Sequence, residues 1–232
     1  MRQVFNYAID IYSLYSSSDE NPARSSENTR TGHVSKPRPS LTDWKDVPPF
    51  LVALSENKCG GEFQVNISVK LAALVFLRAS SLVSMKWTDV DWNGKMLTTP
   101  AEFMKGKREH LTPLSSSALE LLRKLEAING NEEWVFYSPR GKQYSHITPS
   151  TPNHHIKHLG YQGKMCLHGF RAMATTLGRE KLNYPLEIIR LQLAHMDKDK
   201  IIAAYDRSSF MKERTKFMNA WSDLLLENGL EV

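Results

Sequence analysis

The chain has 232 residues, of which 41% are hydrophobic and 24% charged, values typical of a folded globular protein rather than of a disordered or membrane-embedded one. A formal net charge of +5 permits a polyanionic partner without requiring one. Its two cysteines, Cys59 and Cys166, form no C-x-x-C pair, so neither a disulfide framework nor a thiolate zinc site is indicated, and a reducing cytoplasm is expected.

Three regions follow one another along the chain. Residues 1–15 carry apolar side chains at close to helical spacing, and residues 16–45 are rich in Ser, Asn, Pro and charge, the composition of a linker. Helical patterns dominate from residue 46 to residue 232, which predicts one domain after a lone helix and a polar tether. Because a single short helix cannot bury its own apolar stripe, it must pack on the rest of the chain, on another subunit or on an absent partner. Of these we expect an upstream part of the protein to be missing.

The third region contains seven helical patterns and two short extended runs. The helices are predicted at residues 49–57, 65–77, 115–127, 151–159, 167–182, 186–193 and 210–226. Ser115, and Ser117 with Glu120 at capping-box spacing, are the predicted N-caps. Residues 95–99 and 109–112 are predicted strands on either side of a basic hairpin tip at residues 105–108. The predicted fold class is therefore mainly α with a small antiparallel β-sheet (α+β).

The densest chemical motif is the hexapeptide L-H-G-F-R-A, in which His168 and Arg171 lie one helical turn apart. That spacing places an imidazole and a guanidinium where both can contact one phosphate. His195 follows in the tripeptide L-A-H, and Tyr205 follows ten residues later in A-A-Y-D-R. Taken singly, each of these residues is explained equally well by packing or by solvent exposure, so their order is what matters.

Two basic residues further upstream complete an ordered set. Arg78 follows the apolar helix of residues 65–77, and Lys105 lies at the predicted hairpin tip. Arg, Lys, H-x-x-R, His and Tyr in this order resemble the signature of the tyrosine recombinase (phage integrase) family. The likeness covers roughly residues 47–226. The segments K-W-T-D-V-D and H-L-T-P-L-S are similar in particular to integrases of satellite phages, prophages and pathogenicity islands.

The resemblance implies the tyrosine recombinase catalytic-domain fold and a site-specific DNA recombinase of a prophage or mobile element. Such an enzyme cleaves and rejoins double-stranded DNA at attachment sites through a 3′-phosphotyrosine intermediate, without a cofactor or metal. It implies a bacterial, nucleoid-associated protein that acts as a homo-tetramer on DNA, with DNA-bending and excision proteins as accessory partners. It also implies a core-binding domain upstream, of which residues 1–15 would be the remnant, so the chain would be an N-terminally truncated integrase.

The same resemblance assigns a role to each residue of the set. Two guanidinium groups can bind the non-bridging oxygens of a phosphate and neutralise the charge that grows in the transition state. The assignments are Arg78 and Arg171 for this neutralisation, Tyr205 as nucleophile, His168 as base, His195 as a hydrogen-bond donor to the phosphate and Lys105 as the acid that protonates the leaving oxygen. Lys107 competes with Lys105 because either ammonium group can extend from a hairpin tip. The family's exchanged C-terminal segment would correspond to residues 210–226.

One departure from the family pattern leaves other functions open. Ser81 stands three residues after Arg78, where the family usually has an acidic residue that supports a buried arginine, so activity is expected to be weakened. The alternative is therefore a catalytically weak or inactive DNA-binding integrase remnant. Site-independent DNA relaxation of the type IB topoisomerase kind is a weaker alternative. A metal-dependent hydrolase built on His154 and His158, which have the i, i+4 spacing of zinc ligands, is the last.

Overall fold

The computed structural model describes residues 38–139, 145–195 and 210–232. Within these ranges there are eight α-helices and three β-strands. The helices are α1 (Val47–Ser55), α2 (Phe63–Val75), α3 (Ala79–Val83), α4 (Ser116–Asn129), α5 (Thr151–Ile156), α6 (Gly169–Glu180), α7 (Leu186–Gln192) and α8 (Met211–Leu226); the strands are β1 (Val90–Asp91), β2 (Met96–Thr99) and β3 (His110–Pro113). In the described part of the chain, no helix has the length and apolar character needed to cross a membrane.

Helix α2 forms the centre of the core. Every residue from Val65 to Val75 is buried, because α1, α3, α4, α5 and α8 all pack against this helix. On α8, the Trp221 side chain is fully buried and its Nε1 donates a hydrogen bond to the carbonyl oxygen of Ala73, at 2.9 Å. Helix α2 ends where Phe76 takes a left-handed conformation with φ 58°. The chain reverses there and places Arg78 at the N-terminus of α3.

The sheet is antiparallel, with the strand order β1-β2-β3. In the register of β2 and β3, Thr99 lies opposite His110 and Met96 lies opposite Pro113. The predicted fold class is therefore confirmed, and the two predicted strands pair as neighbours with their ends shifted by about one residue. The predicted tip at residues 105–108 lies in the second half of their connection. The strands are joined by residues 100–109, a longer loop that begins with a 3-10 turn at Ala101–Phe103.

All seven predicted helices are present within the described residues, with their ends shifted by one to a few residues. The short elements α3 and β1 were not predicted, because five and two residues are too few to show a period. Ser115 is the N-cap of α4, since its Oγ accepts a hydrogen bond from Ala118 N at 3.2 Å. Ser117 lies inside that helix, so its predicted capping role is wrong. The helix predicted at residues 1–15 lies outside the described residues.

Candidate active site

Arg171 lies in the first turn of α6 and is only 4% exposed. Its Nη1 donates to the carbonyl oxygen of Phe76 at 2.6 Å. Its Nη2 donates to the carbonyl oxygen of Leu193 at 2.6 Å and to Nε2 of His195 at 2.9 Å. Burial, followed by the nearby charge of Arg78, lowers the pKa of Arg171 to about 10, so the group stays charged at neutral pH. Among residues 38–139, 145–195 and 210–232, every acceptor that it contacts is neutral, and its buried Nε has no hydrogen-bond partner.

His195 lies in the turn that follows α7, and its contact with Arg171 determines which ring nitrogen carries the proton. A guanidinium can only donate, so Nε2 of His195 must accept, and the neutral ring therefore carries its hydrogen on Nδ1. Desolvation first, then the charges of Arg171, Arg78, His168 and Arg190, lower the pKa of His195 to about 4. At neutral pH the ring is uncharged, and Nδ1–H is its one remaining donor.

His168 occupies the N-cap position of α6, and its side chain is accessible to solvent. The pKa of His168 is lowered by desolvation of part of the ring, and then by the positive charges of Arg171, Arg38 and Arg78. The imidazole is therefore neutral at pH 7 and can accept a proton. On the same turn, His168 is exposed and open to an incoming group, whereas Arg171 is buried behind it.

The end of the predicted linker packs on this turn. Ser40 Oγ donates to the carbonyl oxygen of Gly169 at 2.8 Å, and the thiol of Cys166 contacts the carbonyl oxygen of Pro39 at 3.2 Å. A Cβ atom on Gly169 would lie 2.5 Å from that same Pro39 oxygen, so only glycine allows the approach. Sequence reasoning missed this contact, since a polar segment gives no sign of where it docks.

Arg78 is partly exposed, and its backbone lies at the N-cap position of α3. The expectation that Arg78 would be the buried arginine in need of a carboxylate is wrong, because Arg171 is the buried one. Within the described residues, the Arg78 side chain makes no hydrogen bond or ion pair. Its guanidinium is therefore available to an anion.

Ser81 is 3% exposed, and its contacts explain why an acidic residue is absent there. Its Oγ donates to the carbonyl oxygen of Phe103 at 2.7 Å and lies 3.8 Å from Sδ of Met104. The hydroxyl thus joins α3 to the start of the loop that carries Lys105. Its partner is an acceptor, so a carboxylate would meet the carbonyl oxygen without a proton between them.

Lys105 and Lys107 are both exposed on the loop between β2 and β3. The buried side chain of Met104 anchors the loop. The main-chain carbonyl oxygen of Met104 accepts a hydrogen bond from Lys107 N at 3.0 Å. Lys107 has the left-handed backbone of a tight turn, with φ 51°. The structure therefore leaves both ammonium groups accessible and does not choose between them. Tyr205 lies outside the described residues.

Four residues of the predicted set therefore belong to one group. Arg78, Arg171, His168 and His195 come from three separate stretches of sequence, and each histidine feels the charge of both arginines. The ion pairs found among the described residues lie on the surface, and none of them includes a member of this group. The group carries two positive charges and two neutral bases, and no carboxylate in the described part of the chain balances it.

Comparison with known proteins agrees with this geometry. The model of the phage integrase family matches residues 46–212. The chain belongs to the phage integrase family. The integrase-family chain is 33% identical over 152 residues to prophage integrase IntA of Escherichia coli K12, which covers 66% of the chain and 36% of that protein. It is 29% identical over 225 residues to the integrase of Shigella phage Sf6, covering 97% and 56%, and 30% identical over 223 residues to the integrase of Enterobacteria phage P4, covering 89% and 50%.

This integrase-family chain thus spans about half the length, or less, of these curated relatives. Its fold is similar to that of a lambda integrase (75-356) dimer bound to a COC′ core site, with a TM-score of 0.59 and 18% identity over 90% of this chain and 70% of that one. The XerA recombinase is also similar, with a TM-score of 0.52 and 17% identity over 83% and 64% of the two chains. The predicted tyrosine recombinase catalytic-domain fold is therefore confirmed.

In this integrase-family chain His154 and His155 lie on α5, and His158 lies in the π-helical turn Lys157–Tyr161 that follows it. His154 and His158 are exposed, whereas His155 is buried and its Nε2 lies 3.2 Å from Nδ2 of Asn66. Across the described ranges, no group of three or more His, Cys, Asp or Glu side chains could hold a metal ion. The zinc site considered from the His154 and His158 spacing gains no support from this arrangement.

Proposed function

We propose that this chain is the catalytic part of a tyrosine-type site-specific recombinase that cleaves and rejoins double-stranded DNA. The observation that carries the proposal is Arg171, a buried guanidinium whose acceptors among the described residues are all neutral. Burying a charge costs several kcal/mol unless an opposite charge and hydrogen bonds offset it. A phosphodiester supplies both, because its non-bridging oxygens can accept from Arg171 and from the free guanidinium of Arg78.

The same group can support phosphoryl transfer. The hydroxyl of Tyr205, with an ordinary pKa of about 10, loses its proton to neutral His168 as its oxygen bonds to phosphorus. The bond from phosphorus to the 5′ oxygen breaks, and Lys105 delivers a proton to that oxygen. Nδ1–H of His195 donates to a non-bridging oxygen, and the arginines neutralise the charge that grows there. A 5′ hydroxyl of another strand reverses these steps, because the phosphotyrosine retains the phosphodiester energy.

The partners follow from this chemistry. Duplex DNA carrying an attachment site is the substrate, in keeping with the core-site complex of the structurally similar lambda integrase. We expect synapsis of two sites by four protomers, with DNA-bending and excision proteins as accessory partners, in a bacterial cytoplasm at the nucleoid. The exposed basic residues of the Lys105 loop provide sequence-independent contacts to the DNA backbone.

Covalent trapping tests the proposal. Nicked suicide duplexes that carry candidate attachment sequences are incubated with the wild type and with Tyr205→Phe, and adducts that survive SDS are counted. We expect an adduct with the wild type alone, because phenylalanine has no oxygen to attack phosphorus. The matched control is Tyr184→Phe, since Tyr184 packs against Phe217 outside the candidate site, and this variant should retain the adduct. An adduct of equal yield with Tyr205→Phe would show that another residue is the nucleophile. The absence of an adduct from both proteins would favour the inactive DNA-binding remnant.

A further inference from the structure

A second buried guanidinium lies behind the candidate active site. Arg214, on α8, is 5% exposed, and desolvation lowers the pKa of Arg214 to about 10. Its Nε donates to Oε1 of Gln192 at 3.0 Å, and its Nη2 donates to the carbonyl oxygen of Leu111 on β3. In the described part of the chain no carboxylate pairs with it. None of the roles drawn from the phosphoryl-transfer chemistry uses this residue.

Gln192 accepts one hydrogen bond from Arg214 through its side chain and a second one through its main chain. Nε2–H of His110, on β3, donates to the carbonyl oxygen of Gln192 at 3.0 Å. Gln192 is the last residue of α7 and is 1% exposed. The next residue, Leu193, supplies one of the carbonyl oxygens that accept from Arg171. Two hydrogen bonds therefore hold Gln192 in place, immediately before the Leu193 carbonyl oxygen that accepts from Arg171.

Hydrogen bonds from three elements hold the turn of residues 192–195. Arg171 binds it from α6, His110 from β3 and Arg214 from α8, and α8 packs directly on both α7 and β3. Strand β3 follows the loop that carries Lys105, and α8 follows the segment that contains Tyr205. Arg214 thus links the three elements that adjoin Lys105, Tyr205 and His195 in the sequence, and these are three groups of the proposed reaction.

We propose that Arg214 is a positioning residue, which holds the turn after α7 so that Leu193 O and His195 Nε2 stay within reach of Arg171. The inference rests on the proposed function. Arg214 needs no contact with DNA for this role, since it acts through Gln192. Buried charged groups can often be replaced by apolar ones of similar volume with little loss of stability. Stability alone therefore does not explain a charged side chain at this position.

The test removes Arg214 together with its side-chain partner. In Arg214→Met/Gln192→Met both side-chain polar groups are replaced by apolar ones of similar shape, which costs less stability than leaving one of the two without its partner. The carbonyl oxygen of Leu111 also loses its donor, but Leu111 is an exposed residue. Arg214→Lys keeps the charge but loses the planar fork. Lys216→Met is the matched control, because it removes one positive charge from an exposed position on the same helix. Adduct formation is measured with saturating nicked duplex across a pH series, and thermal unfolding is recorded for each protein.

We expect the double variant to melt within a few degrees of the wild type and to form the adduct about 10- to 100-fold more slowly, the usual size when groups that support a reactive residue are lost. The acid limb of its pH profile should also move upward. In the wild type His195 is kept neutral by desolvation, by Arg171 and Arg78, and by His168 and Arg190. A loosened turn moves the ring away from Arg171, whose N–H occupies Nε2 and whose charge opposes protonation, and lets the ring protonate at a higher pH.

The outcomes separate positioning from simple stability. Arg214→Lys should recover part of the rate, and Lys216→Met should retain the wild-type rate and profile. A folded double variant with wild-type rate and profile overturns the inference, as does a slower rate whose pH profile is unchanged. If the wild type itself forms no Tyr205-dependent adduct, the proposed function fails and the inference falls with it. A normal wild-type adduct that is indifferent to Arg214 removes the inference alone.

Discussion

At the scale of single residues, the site is defined by charges that have no internal counter-charge. Arg171 has three neutral acceptors and one buried donor without a partner, and Arg78 has no bonded partner within the described residues. Desolvation first, and then these charges, lower the pKa of His168 and of His195 and so favour their neutral forms. The same electrostatics therefore prepare an anion site and preserve a base next to it.

Ser81 provides the sharpest residue-level prediction. Ser81→Glu, the substitution that would restore the family pattern, should lower the free energy of unfolding by about 2 kcal/mol or more, because it buries a carboxylate against the carbonyl oxygen of Phe103. Ser81→Ala should cost about 1 kcal/mol, the size of one hydrogen bond. Urea denaturation measures both. A stabilised Ser81→Glu protein that forms more adduct would show that the acidic residue, and not the Ser81 hydroxyl, suits this position.

The sequence was sufficient to choose these residues but not to describe their surroundings. Arg171 and His168 were selected because H-x-x-R is a local motif whose members share a helical turn. The carbonyl oxygen that Ser81 contacts belongs to Phe103, on another element, and no local pattern encodes that pair. The weaker activity expected from Ser81 therefore rests on the family pattern alone, without the residue that Ser81 contacts.

At the scale of elements, the described contacts bear on the Lys105 loop and on the C-terminal helix. The loop is longer than a hairpin turn, and two adjacent residues near its middle are held in place, Phe103 by the hydrogen bond from Ser81 and Met104 by burial of its side chain. Helix α8 packs on the core of its own chain through Phe217, Trp221 and Leu225, all of which are fully buried. Exchange of this whole segment between protomers would expose those side chains, so it stays a prediction without support from the described packing.

The loop leads to a prediction that separates its two lysines. Lys105→Ala should slow cleavage by about 10²- to 10⁴-fold, the range of a lost general acid, while Lys107→Ala should change it less than about threefold. A duplex with sulfur in place of the bridging 5′ oxygen should restore the Lys105→Ala rate, because a thiolate leaves without a proton. Rapid-quench adduct formation on both substrates provides the measurement. The reverse pattern would assign the acid to Lys107, which has the left-handed turn position.

At the scale of the whole molecule, stability depends on several histidines that are kept neutral. His110 is 9% exposed, and its pKa falls to about 4, first through desolvation and then through the charge of Arg214, whereas an unfolded histidine titrates near 6.5. Between these values the unfolded chain binds more protons than the folded one. The free energy of unfolding is therefore complete above about pH 6.5 and declines as the pH falls towards 4.

This sign leads to a measurable acid sensitivity. We expect the wild type to lose on the order of 3 kcal/mol through His110 as the pH falls across that window. His110→Gln retains an N–H donor for Gln192 O but cannot titrate, so its free energy of unfolding should decline less. Leu111→Gln is the control, since it places the same side chain at an exposed neighbouring position. Urea denaturation at several pH values measures the slopes, and equal slopes for wild type and His110→Gln would contradict the assignment.

The sequence by itself determined the fold class, the family and the reactive residue types, because periodicity and short motifs are local properties of the chain. The tertiary structure alone decided which arginine of the motifs is buried, which nitrogen of His195 carries the proton and which groups Arg214 binds. These depend on contacts between distant residues: Arg171 meets the Phe76 carbonyl across 95 positions, and Arg214 meets the Leu111 carbonyl across 103. A sequence names the groups that can donate and accept, whereas only packing sets which of them meet and how much water is excluded around them.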